Sequence, residues 1–477
     1  MLYYGLVASL APMSLWFQWW SIVSQLRSAC PRQRTFLWLV IVLAGLCTRQ
    51  DLAGVTSVVR SLDLRARCYG CLLDFFHSPA LCPDNLARLW ARLVLKVHPG
   101  VVRCRGRLVV LADGLKKSKC GRKMPAVKLL HQASESNTKP TFIMGHSCQA
   151  LAFLAQVGQG YHAVPLCARI HEGLVFSNRD KRTLLDKLLL LLSALSLPDP
   201  VLLVADAYYA SGKMIRGLFS QGGQLVSRLR HNACAFEPLQ PAPGPRARGR
   251  PRLYGRKVYL RELFNAALQT MPSPAYGEEA VTLQWTSLDL LWRPAGCLVR
   301  IVAVVHPTRG RILLLSTDLT LTASEIIALY ALRFKIEVSF KQSLHTLRAW
   351  AYHFWMKDMR PIRRGHGDQY LHRQSNRYRR AVRRKLAAYH RHIQLGLLAQ
   401  GILQCLAAVH PTLVWHHFAS WLRTRKAPHC PSEFVVALAL RHHLPDFLSA
   451  GPTNPNWRIF LRDRLDLGQF QGARLAA

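Results

Sequence analysis

The sequence predicts an α/β fold flanked by helical ends, and three observations carry that expectation. Residues 108–113 (LVVLAD) and 201–206 (VLLVAD) are continuous apolar runs of strand length, each closed by an acid. Runs apolar on both faces suit central strands of a sheet covered by helices. The hydrophobic pattern changes at Val101, where helical spacing gives way to strand-length runs. A Pro- and Gly-dense segment, 238–252 (PLQPAPGPRARGRPR), then breaks the alternation and reads as a linker or insertion.

Taken in order, residues 1–100 are mostly helical, with helical spacing through LAGVTSVVRSL and DNLARLWARLVLKV. The opening stretch MLYYGLVASLAPMSLWFQWWSIV is apolar but lacks a basic leader region and a clear cleavage site. The run 35–47 (TFLWLVIVLAGLC) falls short of the ~18–20 residues that span a bilayer, so a buried helix is expected there. After Val101 come strands at 108–113, 142–157 and 162–175, a helical stretch at 181–197, a strand at 201–206, a helix at 211–221 and a strand at 224–229. Strands followed by alternating helix and strand make an α/β core. Beyond the linker, strand-like runs at 280–285, 298–306 and 311–317 are separated by the turn signals RPAG and HPTRG, a β-rich block. The period becomes helical at Thr322 and stays so past Leu347; Ile326, Ile327, Tyr330, Phe334, Ile336 and Phe340 supply its expected buried stripe. Residues 393–477 are again helical, and no solenoid-type repeat is visible.

Charge narrows the choice of partner. The 477 residues hold 64 Lys and Arg against 25 Asp and Glu, a net charge of +39. Such an excess repels itself, so a polyanion is the natural partner. Its spread along the chain favours an extended surface on a phosphate backbone over a single basic tail. The densest stretch, 360–391, has eleven Lys and Arg against one acid, Asp368, with Tyr370, Tyr378 and Tyr389 interleaved. The 13 cysteines are irregularly spaced and read as reduced thiols. Cys68 and Cys71, with His77 and Cys82 nearby, lack the second pair of a zinc module, and CYGCLLDFFHS reads better as an apolar helix.

With so few acids, each placement carries information. Asp113 and Asp206 end strongly apolar runs, where an unpaired charge is costly. Neighbouring parallel strands would bring both to one sheet edge, where a divalent cation with oxygen ligands offsets their repulsion. A turn or helix cap is the plainer role for either acid alone. Glu337 follows Arg333 and precedes Lys341 at i, i+4, i+8 spacing, so all three lie along one side of a helix.

Tyr330-x-x-Arg333-x-x-x-Glu337 resembles the Y-x2-R-x3-E signature of DDE insertion-sequence transposases, whose ribonuclease-H-like core is split by a β-rich insertion. Asp113 in VVLADG and Asp206 in LLVADAYYAS match the places of the first two acids. Residues 121–147 and 316–342 also resemble the corresponding stretches of one branch. The likeness covers about 100–350. One departure is Leu344, where the signature usually continues with Lys.

The resemblance implies a helical DNA-binding region at 1–100, a catalytic core at 101–232 and 318–350 interrupted by a β-rich insertion at 233–317, and a basic, helical region at 351–477. It implies that Asp113, Asp206 and Glu337 are catalytic and hold two Mg²⁺ ions, with Mn²⁺ a substitute, while Tyr330 and Arg333 hold a phosphate. Lys341 is a further DNA contact. Arg248-Gly249-Arg250-Pro251, followed by Arg252, resembles an AT-hook core; a basic solvated loop is the alternative, and either touches phosphate. Trp285 and Trp292 lie in the β-rich block, where related enzymes stack an extruded base, although core packing is the commoner role for tryptophan. The implied partners are double-stranded DNA, as element terminal repeats and target, and a second copy in a synaptic homodimer, in a prokaryotic cytoplasm at the nucleoid and without a membrane. Alternatives are an impaired transposase-derived DNA-binding protein, a ribonuclease-H-like nuclease that cuts without joining, and a basic membrane-associated helical protein.

Overall fold

The computed structural model describes residues 14–50, 54–132, 140–239, 252–424, 429–449 and 455–468. Five helices come first: α1 (Leu15–Ser24), α2 (Gln33–Thr48), α3 (Thr56–Ser61), α4 (Cys68–His77) and α5 (Pro83–Val97). Helix α2 is buried continuously from Phe36 to Thr48, as its all-round apolar sequence requires. Helix α5 is amphipathic, with Pro83 in the first turn and Leu86, Trp90 and Val94 on the buried face.

The sheet begins with β1 (Arg103–Cys104), β2 (Arg107–Ser118), β3 (Lys128–His131), β4 (Phe142–Val157), β5 (Gly160–Ile170) and β6 (Leu174–Val175). Then follow α6 (Leu184–Ala194), β7 (Val201–Ala205), α7 (Gly212–Phe219) and β8 (Gln224–Leu229). Helix α6 starts at a capping box, in which the Thr183 and Asp186 side chains each bond the other's backbone N–H. Strand β2 is central, antiparallel to β4 and parallel to β7, which is parallel to β8; β5 lies antiparallel on β4. Gly145 allows β4 to approach β2, since a Cβ there would collide with the backbone of Lys117 and Ser118.

The β-rich block comprises β9 (Cys234–Phe236), β10 (Lys257–Tyr259), β11 (Gln269–Pro272), β12 (Thr282–Trp292), β13 (Cys297–His306) and β14 (Gly310–Ser316). Its strands continue the core sheet: β14 pairs antiparallel with β8, and the path runs β10-β9-β12-β13-β14-β8-β7-β2-β4-β3. The strand expected at 280–285 runs on to Trp292, because a full antiparallel partner in β13 satisfies its backbone that far.

Beyond the sheet lie α8 (Ala323–Ala331), α9 (Lys335–His345), β15 (Gln369–Tyr370), α10 (Asn376–Val409), α11 (Pro411–His417), α12 (Glu433–His442), α13 (Leu444–Ser449) and α14 (Pro455–Arg462). The helix expected from Thr322 past Leu347 is divided by a 3-10 turn at Leu332–Phe334. That turn swings Phe334 out to 40% exposure, so it drops from the expected buried stripe.

Helix α10 organises the rest. Its start is cationic and exposed, whereas residues from Ala388 to Ala407 are almost all buried. It is the one described helix long and apolar enough to cross a membrane, yet 89% of that window is buried in the protein. Polar side chains inside it reach neighbours: Gln394 donates to Leu166 O at 2.7 Å and Gln404 to Ala163 O at 3.1 Å, both on β5. The two helical ends of the chain form one body around it. Trp16 stacks on Phe447 at 4.2 Å, Trp38 meets Phe460 edge-on at 5.3 Å, and Leu64 bridges to Leu465.

Candidate active site

Two of the acids meet through strand register alone. Ala112 of β2 lies opposite Ala205, the last residue of β7, in a parallel pair, so Asp113, still paired with Ala150 of β4, stands level with Asp206, the first residue beyond β7. From Leu108 to Ala112, β2 is fully buried; from Asp113 on, only alternate residues are partly covered. The acids therefore stand where the covered sheet opens. Asp206 caps the turn behind it, its Oδ1 accepting from Tyr208 N at 3.0 Å, and its carbonyl accepts from Ser227 Oγ at 2.8 Å. Asp113 Oδ1 accepts from Gly114 N at 2.7 Å.

Glu337 reaches the same place from a helix. It sits in the first turn of α9, immediately after the 3-10 turn that carries Arg333. Arg333 binds both acids, Nη1 to Asp113 Oδ2 at 3.0 Å and Nη2 to Glu337 Oε1 at 2.6 Å. Tyr330, one turn earlier on α8, is half-buried close to Arg333, Arg228 and Asp206, and burial pushes its phenol up.

The electrostatics follow from crowding acids at a covered edge. Burial pushes the Asp113 carboxyl up to about 6, against the pull of Arg333 and the Gly114 N–H, and the charges of Asp206 and Glu337 push the same way. An ion pair would ordinarily lower a carboxyl; here desolvation outweighs it. Among the described residues no three Asp, Glu, His or Cys side chains are already gathered as a metal site. The guanidinium standing between Asp113 and Glu337 is the cation these carboxylates now share. The donors themselves, three carboxylates on hard oxygen, suit Mg²⁺ or Mn²⁺ rather than a thiophilic metal.

The other residues singled out by sequence are more scattered. Lys341 is exposed on α9, one turn past Glu337. Arg248 and Arg250 lie outside the described residues; Arg252 is exposed just before β10. Trp292 is buried core, and Trp285 is partly buried on β12 opposite Val304. Strand β12 lies four places along the sheet from β7, roughly 19 Å at the usual strand spacing, so Trp285 does not join the acids. Cys68 and Cys71 sit on helix α4 as free thiols, as a helix reading of that segment requires.

Sequence reasoning missed the support behind the acids. Tyr209, buried beside Asp113 and Asp206, accepts from Gln149 Nε2 at 3.1 Å, and Gln149 Oε1 is 2.7 Å from His171 Nδ1. Burial pushes that imidazole down to about 3, so it is neutral and donates to Gln149. Exposed Tyr208 stands next to them. The tyrosine pair in LLVADAYYAS was the one available signal; Gln149 and His171 carry none, because only strand pairing brings them there.

A family model described as DDE superfamily endonuclease matches residues 25–293, more than half of the chain. The matched span runs from the end of α1 through β12 and includes Asp113 and Asp206, but ends before Glu337. No curated protein matches the chain. Nucleases of this superfamily generally use divalent metals, and a DDE domain implies a ribonuclease-H-like core, for which β5-β4-β2-β7-β8 are the strands at hand. On this match the chain belongs to the DDE superfamily endonucleases.

Proposed function

We propose that the chain is a DNA transposase that cuts and joins strands at the ends of an insertion sequence by in-line phosphoryl transfer. One observation carries the reading: Asp113 on β2 and Asp206 just past β7 stand level on adjacent parallel strands, and Arg333 ties Glu337 to Asp113. These three carboxylates would hold the two Mg²⁺ ions, with Mn²⁺ as substitute. Metal bound there supplies activation of the attacking water or 3′-hydroxyl and stabilisation of the leaving oxygen. The chain's own work is placement and charge. The Arg333 fork, already spanning two carboxylates, has the geometry to pair two oxygens of a phosphate, with Tyr330 beside it. DNA would run over Lys341, the 248–252 arginines and the exposed Arg377, Arg380 and Arg384 at the start of α10. A homodimer fits the need to hold two element ends together, and a prokaryotic nucleoid is where such DNA lies.

The test uses purified protein and duplex DNA carrying the boundary of the element, with Mg²⁺ or EDTA. Nicking at the boundary is expected with Mg²⁺ only, falling at least 100-fold in Asp113→Ala, Asp206→Ala and Glu337→Ala, an order of magnitude typical for loss of an essential electrostatic group. Variants that cut like the parent would remove these acids from the chemistry. A second reading, a nuclease that cuts without joining, is favoured by the family's description as endonucleases. Cut ends that never appear covalently joined to a target plasmid would select it.

A further inference from the structure

Strand β2 and helix α9 run alongside one another beyond the acids. Along β2 the half-covered residues after Asp113 are Leu115 and Lys117, so Lys117 shares the face of Asp113, about 13 Å further along the strand. Along α9, Glu337, Lys341 and His345 form one exposed stripe, and His345 lies about 12 Å from Glu337. The two tracks are equal in length. They converge on a cavity of about 350 Å³ lined by Lys117, Leu344, His345, Arg348, Trp350 and Ala351. Three of these six are basic and none is acidic.

The cavity wall is built rather than incidental. Buried Arg49, reaching over from the end of α2, donates to the carbonyls of Leu347 at 2.5 Å and Arg348 at 3.0 Å, which fixes the turn that ends α9. Arg348 has φ +50°, a left-handed conformation that costs a side-chain-bearing residue of order 1 kcal/mol and persists only where its surroundings enforce it. The next residue, Ala349, packs against Gly396 of α10 so closely that a Cβ on that glycine would collide with it. Trp350 is buried, its indole N–H donating to Cys148 Sγ at 3.4 Å. The neighbouring Lys119 ammonium is pushed down to about 7, first by burial and then by the charge of Lys117.

We propose that the cavity formed by Lys117, His345 and Arg348 binds a backbone phosphate of the DNA strand whose scissile phosphate lies at the acids. This rests on the DNA-cutting reading of Asp113, Asp206 and Glu337. A strand winds about the duplex axis as it rises ~3.4 Å per nucleotide, so a straight-line separation of about 12–13 Å between phosphates corresponds to about two nucleotides. A rigid cationic pocket at fixed distance sets the register of the strand, so Lys117 and Arg348 are positioning residues. Leu344 contributes an apolar part of the lining.

The test measures binding of fluorescent boundary duplex in EDTA from 50 to 200 mM salt. Lys117→Ala and Arg348→Asn, the latter chosen because Asn tolerates the left-handed backbone, should each lower the slope of log K against log salt by about 1. Lys117→Ala should keep the parent's melting temperature, and Lys117→Arg should restore the slope. A neutral methylphosphonate placed two nucleotides from the cut should weaken the parent protein but not Lys117→Ala. Unchanged slopes, or equal methylphosphonate effects on parent and variant, would overturn the pocket. Parent protein that binds this DNA but leaves it uncut with Mg²⁺ would instead remove the catalytic reading, and the slopes would still decide the pocket.

Discussion

Burial holds the Asp113 carboxyl near 6 although Arg333 is only 3.0 Å away, so this residue works against the fold at neutral pH. The sign follows from linkage. A carboxyl raised from 3.8 unfolded to about 6 folded is fully tolerated below the first value and becomes destabilising as pH rises through the second. Two units correspond to on the order of 2–3 kcal/mol, which an uncharged isostere would regain. Asp113→Asn, measured by urea unfolding in EDTA, should therefore be about 2 kcal/mol more stable than the parent at pH 8, with the gain vanishing below pH 4. Equal stabilities at both pH values would mean that the carboxyl is solvated and that the sheet edge is open. The same residue shows what one sequence can disclose. An acid closing an apolar run announces a costly charge, but the partner that shares it, Arg333, is set there by the fold, since the resemblance implied only a phosphate contact for that residue. Leu344, where that resemblance expects a cation, lines a cavity whose cations come from β2 and from the turn after α9.

Among elements, legibility depended on whether the determinant was local. Strands β4 and β8 fall where their apolar runs begin and end, since burial on both faces writes itself into the sequence. The break between α8 and α9 did not, because residues 325–344 keep a helical period across it and a 3-10 turn changes the phase without changing the composition. The break matters chemically. It sets Arg333 at an angle from which one guanidinium spans Asp113 and Glu337. The partners of the β-rich strands were equally invisible, and that block proved to extend the core sheet edge to edge. The packing of helices on that sheet offers a sharper test. Trp90 of α5 is fully buried, donates to Pro165 O on β5 at 2.9 Å, and lies against Gly401 of α10 where no Cβ would fit. Trp90→Ala should cost about 3–5 kcal/mol in urea unfolding, the range for emptying a large aromatic site. A loss under 1 kcal/mol would mean that α5 and α10 close over the space and that their contact is not specific.

For the molecule as a whole, the charge of +39 acts on folding and on binding with opposite dependence on salt. Only 25 acids are present, and several are spent in pairs such as Arg107–Asp318 and Arg300–Asp289, so most cations face others of their kind. Self-repulsion weakens the compact state and is screened by ions, with a Debye length near 10 Å at 0.1 M. DNA affinity depends on released counterions and falls as salt rises; six or more phosphate contacts imply a loss of about 10³-fold or more between 50 and 200 mM. The free protein should thus melt at higher temperature as NaCl rises from 50 to 200 mM, while its affinity for duplex DNA collapses over the same range. Both can be measured on one preparation, by thermal unfolding and by fluorescence anisotropy. A melting temperature that falls with salt would mean that ion pairs, rather than unpaired cations, dominate the surface. A flat binding curve would mean that the positive charge does not lie against phosphate, and the exposed arginines at the start of α10 would lose the role proposed for them.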